Sequence, residues 1–168
     1  MDIRPPVRAT HTYTQALEGS PAEVFPLLCP VLEAEWVPGW TAPLVLSESG
    51  VAELDCVFTT PDPAASPEAE AIWTVLRHDE AAGLVEMLKV TPGFLVVRLT
   101  ITLAPREGQG CSGTVTYRYT ALSPAGEAFV HGRTAVAYAE FMRGWETALN
   151  AYLRGRRPAA PAGGRHLT

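Results

Sequence analysis

A chain of 168 residues, 47% of them hydrophobic, is long enough for one domain with a sizeable core and short for two. Its formal net charge is −5 and Lys89 is its only lysine, so it lacks the basic face that phosphate backbones require, and nucleic acid is excluded as a partner. No window approaches about eighteen continuous apolar residues, which excludes stable membrane insertion through a helix.

The opening Met1-Asp-Ile-Arg-Pro-Pro lacks the charged-then-apolar layout of a signal peptide, so a cytoplasmic protein is expected. Cys29, Cys56 and Cys111 lie far apart without CxxC spacing. They support neither a disulfide framework nor a structural zinc site, and they read as reduced core thiols. The histidines at 11, 78, 131 and 166 also lack the spacing of a metal cluster. Neither a metal nor a cofactor is expected.

Residues 1–7 read as an N-terminal extension and 155–168 as a flexible tail, bracketing one domain over 8–154. From Arg8 to Glu18 the chain alternates, with Ala9, His11, Tyr13, Gln15 and Leu17 on one face, which is the period of a strand. Gly19-Ser20-Pro21 then signals a helix start, and Glu23 completes a capping box. Pro26 and Pro30 keep that helix short. A second short helical piece over 31–36 closes at Val37-Pro38-Gly39, leaving Trp36 and Trp40 around a turn as a bulky lid or plug.

Six strands are predicted next, over 42–49, 51–60, 71–78, 84–91, 95–104 and 112–122. Ser49-Gly50 and Pro92-Gly93 mark tight turns, and 61–70 reads as a mobile loop. Leu54, Cys56 and Phe58 alternate with polar neighbours, as do Leu99, Ile101 and Leu103, and Val115, Tyr117 and Tyr119. A sheet with one apolar and one threonine-rich face has a single solvated side.

The cover for its apolar face is a long helix from Ser123-Pro124 to the stop at Gly155. Wound at 100° per residue, it places Val130, Tyr138, Phe141, Met142, Trp145 and Leu149 on one side, and Arg133 on the other. The C-terminal half of that stripe is bulky. The N-terminal half carries Glu127, His131, Thr134, Ala135 and Tyr138, which fill a core poorly and suit a cavity.

The order strand, two short helices, six strands, long helix resembles the helix-grip fold of the START and Bet v 1 superfamily, also called the SRPBCC or polyketide cyclase-like proteins. Cys29 to Trp40 and Thr116 to Gly126 look like segments of uncharacterised bacterial members, and Ser20 to Phe25 looks like the usual opening of the first short helix. The resemblance implies an α+β fold: a curved seven-stranded antiparallel sheet gripping the last helix around an apolar cavity. It also implies a small hydrophobic molecule, lipid-like or polyketide-like, as partner of a monomer or homodimer. Some members are aromatase, cyclase or dehydratase enzymes, so the alternative is a cavity histidine, His11 or His131, acting as general acid or base.

The ligand-binding candidates are His11, Tyr13, Trp36, Trp40, Phe58, Leu99, Tyr117, Tyr119, His131 and Tyr138. No catalytic residue is assigned. Glu33 and Glu35 qualify as acids only if buried, and such a pair belongs more often on the wet side of a short helix. Cys29 lacks a securely placed histidine to activate it.

Overall fold

Strand β1 (Arg8–Leu17) is followed by β2 (Val45–Leu46), β3 (Val57–Pro61), β4 (Glu70–Asp79), β5 (Leu84–Thr91), β6 (Leu95–Pro105) and β7 (Cys111–Ala121). They form one sheet in the order β1-β7-β6-β5-β4-β3-β2, and each neighbouring pair is antiparallel. The computed structural model describes residue 1 and residues 3–156. The predicted tail falls almost wholly on 157–168, with His166, outside the described residues.

Between β1 and β2 the chain makes helix α1 (Pro21–Val24) and two 3-10 turns, Phe25–Leu27 and Leu32–Glu35. Ser20 and Glu23 close the capping box as the sequence implies. The β5–β6 connection turns at Gly93, whose φ of +70° suits a residue without a Cβ, and Phe94 N–H reaches back to the Thr91 carbonyl.

The strands around Ser49-Gly50 are much shorter than predicted. The Glu53 carboxylate takes hydrogen bonds from the Ser47 hydroxyl and from the backbone N–H groups of Glu48 and Ser49, gathering that stretch into a loop instead of a hairpin. Hydrogen bonding by the Ser49 side chain above all, then by the Glu48 backbone and the Ser47 hydroxyl, holds its pKa down at about 2. Leu54 is consequently 59% exposed and does not share the inward face of Cys56 and Phe58.

The predicted single long helix is two. Helix α2 (Pro124–Gly132) ends at Arg133, and α3 (Ala135–Arg156) begins after it. Arg133 leaves helical backbone at φ −82° and ψ 72°, and the Thr134 hydroxyl accepts the Ala137 N–H as a fresh cap. Gly155, expected as the stop, lies within α3. Helix α2 sits so close to the β5–β6 turn that a Cβ on Gly126 would stand 2.1 Å from the Phe94 carbonyl oxygen.

Helix α3 is tied to β1 by polar bonds at its edge. Gln15 donates to the Met142 carbonyl at 3.0 Å, and Asn150 bridges the Ala16 carbonyl and the Glu18 N–H. Beneath lies one core of Leu17, Val24, Leu27, Val85, Ile101, Val115, Met142, Leu149 and their neighbours. The opposite face of the sheet is wet, with Thr12 bonded to Thr116 and Thr14 to Thr114 across β1 and β7.

Candidate functional site

Register aligns the inward side chains of the sheet into rungs. One runs Tyr117, Leu99, Met87, Val75 across β7 to β4, and the next runs Tyr119, Val97, Lys89, Trp73, Phe58 across β7 to β3. The core fills one end of the concave face, under α3. At the other end a cavity of about 400 Å³ remains, and both rungs contribute to its wall. Helices α2 and α3 contribute Phe129, Arg133, Phe141 and Trp145, and the segment after the second 3-10 turn adds Val37 and Trp40. Exposed Gly39, Thr41, Pro63, Ala64 and Phe141 mark its rim.

Of the ten sequence candidates, Trp40, Phe58, Leu99, Tyr117 and Tyr119 line this cavity. Their backbone positions explain why: four alternate inward on strands, and Trp40 is anchored by its indole N–H on the Pro30 carbonyl at 2.7 Å. Burial pushes the Tyr119 hydroxyl up to about 12, and pushes that of Tyr117 well above the ordinary tyrosine value, with Tyr119 and Glu33 nearby adding to the effect. Both stay neutral hydroxyls near pH 7.

The other five candidates lie elsewhere. His11 donates its ring N–H to the Arg133 carbonyl at 2.6 Å and stacks on Tyr138 at 5.5 Å, supporting the break between α2 and α3 from outside the cavity. Tyr138 is fully buried with its hydroxyl on the Val115 carbonyl at 2.7 Å. Tyr13 packs half-buried against the core. Trp36 donates to the Leu27 carbonyl and meets Trp145 edge-on, one layer behind the cavity wall. His131 is exposed on α2, contrary to the inward phase expected of it. The break at 133–134 resets the helical phase, so residues counted from one end of a continuous helix fall on the wrong side. His78 packs at a tilt against Phe25, and neither residue lines the cavity.

The same reset turns Arg133 inward, where the sequence placed it outward. Its guanidinium carbon lies 4.8 Å from the Phe129 ring centroid and 5.8 Å from those of Tyr119 and Phe141. Among the described residues no carboxylate pairs with it.

Glu33 is only 5% exposed and lines the cavity, against the expectation of a wet helix face. Burial alone pushes its pKa up to about 8, so it is a neutral acid at pH 7. Its spacing held a usable signal: Cys29, Glu33 and Val37 are four apart, and the backbone links them in that order, placing Glu33 between two inward residues. Glu35 instead accepts a hydrogen bond from Tyr152 at the surface.

Lys89 was legible from its alternation with Val85 and Met87 and was not singled out. Its ammonium pairs with Asp62 at 2.8 Å and lies 5.6 Å from the Trp73 ring centroid. Asp62, buried, also accepts from Thr91 at 2.5 Å, so the start of the loop read as mobile forms a pinned part of the wall. Trp73 donates to Thr60 and stacks on Phe58 at 5.5 Å with 7° between planes. Cys29 is buried and accepts the Ala52 N–H, which suits a packed thiol better than a nucleophile. Among the described residues no group of three or more His, Cys, Asp or Glu side chains could hold a metal ion.

The architecture has clear structural counterparts. A norcoclaurine synthase from Thalictrum flavum, in complex with dopamine and hydroxybenzaldehyde, superimposes with a TM-score of 0.66 at 13% identity, over 91% of this chain and 90% of that one. The fold is the Bet v 1-like helix grip. Ara h 8.0201 gives a TM-score of 0.63 at 15% identity, over 89% of this chain and 99% of that one. An uncharacterised protein from Rhizobium leguminosarum gives 0.64 at 12% identity, over 92% and 100%. No family model and no curated protein matches the sequence. Likeness at these identities speaks for the helix-grip fold alone. No described helix is long and apolar enough to cross a membrane.

Proposed function

We propose that the chain is a cytoplasmic protein, monomer or homodimer, that binds a small hydrophobic, ring-bearing molecule in the cavity between the sheet and helices α2 and α3. The observation that carries this reading is the wall itself. About 400 Å³ is enclosed by Phe58, Trp73, Leu95, Val97, Leu99, Phe129 and Trp145, with a few polar groups at separate points. Apolar area supplies affinity and sparse polar groups supply orientation. The norcoclaurine synthase counterpart holds two aromatic molecules, which supports ring-sized occupants for a fold of this shape.

The test combines native mass spectrometry of freshly purified protein with titration by the neutral fluorophore N-phenyl-1-naphthylamine. Val97→Phe projects a ring into the cavity from the central rung. Binding by the parent chain and its loss in this variant, with the fold retained by circular dichroism, is the expected result. Equal uptake by both overturns the cavity as the binding place.

Glu33 favours a second reading, in which the same cavity performs acid–base chemistry. A buried carboxylic acid poised near neutrality is a competent proton donor and acceptor, whereas no histidine among the described residues lines the cavity. Turnover of a bound molecule that vanishes in Glu33→Gln while binding persists is the outcome this reading requires.

A further inference from the structure

We propose that the ligand is an apolar monoanion, a ring-bearing carboxylic or sulfonic acid, whose charged group sits on the Arg133 guanidinium at the α2–α3 break. The proposal rests on the cavity being the binding place and adds the charge and orientation of what it takes.

The lining carries four ionisable charges or would-be charges, and they do not balance. Lys89 and Asp62 neutralise each other at 2.8 Å. Glu33 stays protonated because burial disfavours its carboxylate. Arg133 is left as a cation with no carboxylate beside it among the described residues, so the empty cavity carries a net positive charge. A half-buried cation without a counter-ion is unfavourable, and a ligand that brings one removes that cost while it binds.

The geometry around Arg133 suits an anion in particular. The guanidinium lies near three aromatic rings, Phe129 at 4.8 Å and Tyr119 and Phe141 at 5.8 Å. Contact with ring faces holds the plane of the group while leaving its N–H fork free at the edge for paired oxygens. Its backbone is fixed as well, since His11 donates to the Arg133 carbonyl at 2.6 Å and the Arg133 N–H reaches Phe129 and Val130. A flexible surface arginine has none of this preorganisation.

The remaining lining sets the rest of the molecule. Leu95, Val97, Leu99 and Met87 form an apolar floor, and Phe58 stacked on Trp73 offers a flat wall. Glu33, as a neutral acid, has a proton to donate to an acceptor oxygen elsewhere on the ligand.

Two fluorophores of nearly identical shape test this on the full chain. 8-Anilinonaphthalene-1-sulfonate carries one negative charge, and N-phenyl-1-naphthylamine has the same rings without it. The expected result is tighter binding of the anionic probe. Arg133→Gln lowers anionic affinity by about tenfold or more and changes neutral affinity by less than about threefold, and Arg133→Lys recovers part of the loss. Val97→Phe abolishes both, which places both probes in the cavity.

An anionic probe unaffected by Arg133→Gln while the neutral probe still binds in the cavity overturns the anion assignment alone. Equal losses for both probes in Arg133→Gln overturn it too, because they mark a structural role for the arginine. Failure of both probes to bind the parent chain overturns the cavity reading and this inference with it.

Discussion

Glu33 gives the sharpest handle on the site because its burial converts directly into a pH-dependent stability. Its carboxyl has an ordinary value of 4.5 and is pushed up to about 8 in the folded chain. Between those values the folded state holds a proton that the unfolded state has released, so stability falls as pH rises. The contribution is fully present below 4.5 and fully lost above 8. Each unit of separation corresponds to about 1.4 kcal/mol, so at pH 7 the acid costs the fold about 3 kcal/mol relative to pH 4.5.

Glu33→Gln keeps the shape and hydrogen-bonding capacity of the neutral acid and cannot ionise. It should therefore raise stability by about 2–3 kcal/mol at pH 7, which for a domain of this size is roughly 5–10 °C in melting temperature. At pH 5 the two proteins should differ by less than about 1 kcal/mol. Urea denaturation of both chains from pH 5 to pH 9 measures the separation directly. Parallel pH profiles would show that Glu33 ionises as freely folded as unfolded, and would refute its burial beside the cavity.

Two further perturbations probe the walls. Gly126→Ala forces a Cβ to within 2.1 Å of the Phe94 carbonyl oxygen, so α2 must lift from the β5–β6 turn. A loss of about 2 kcal/mol or more is expected in chemical denaturation, accompanied by weaker probe binding because α2 carries Phe129 and ends at Arg133. Asp62→Asn removes the partner of Lys89 while retaining an acceptor for Thr91. It should cost about 2–3 kcal/mol and make the 61–70 loop more sensitive to limited proteolysis, which a merely surface ion pair would not do.

Much of the fold was legible because one face of each long strand is buried and the other is wet. β6 and β7 alternate so cleanly that the inward residues Leu99, Tyr117 and Tyr119 could be named from period two alone. Local capping chemistry was equally readable at Ser20 and Ser123.

The site was read less well, for a reason that concerns one dipeptide. Arg133-Thr134 interrupts the apolar period without a proline, and a continuous 100° winding carried through it misplaces both His131 and Arg133. Gly132 before the break and Thr134 after it are the residues that end and start helices, and together they signal the interruption. Asp62 is a different matter. Its burial depends on Lys89, twenty-seven residues on and two strands away in the sheet, which no local pattern contains.

The polar lining also explains how such a cavity persists in a domain of this size. A dry void of about 400 Å³ would cost on the order of 10 kcal/mol at about 24 cal/mol per Å³, comparable with the whole stability of an ordinary domain. Water must therefore occupy it when no ligand does, and water needs polar partners. Glu33, Arg133, Asp62, Lys89 and the two tyrosines provide them at separated points of an otherwise apolar wall. On the proposed reading, the same groups that make the empty state tolerable also discriminate among occupants. A ligand that satisfies Arg133 and Glu33 as it expels water from the faces of Phe58, Trp73 and Trp145 gains on both counts. One that only fills the volume leaves those polar groups desolvated. On the proposed reading, affinity for rings in general belongs to the wall and preference between charged and neutral rings to Arg133, so single substitutions should separate the two.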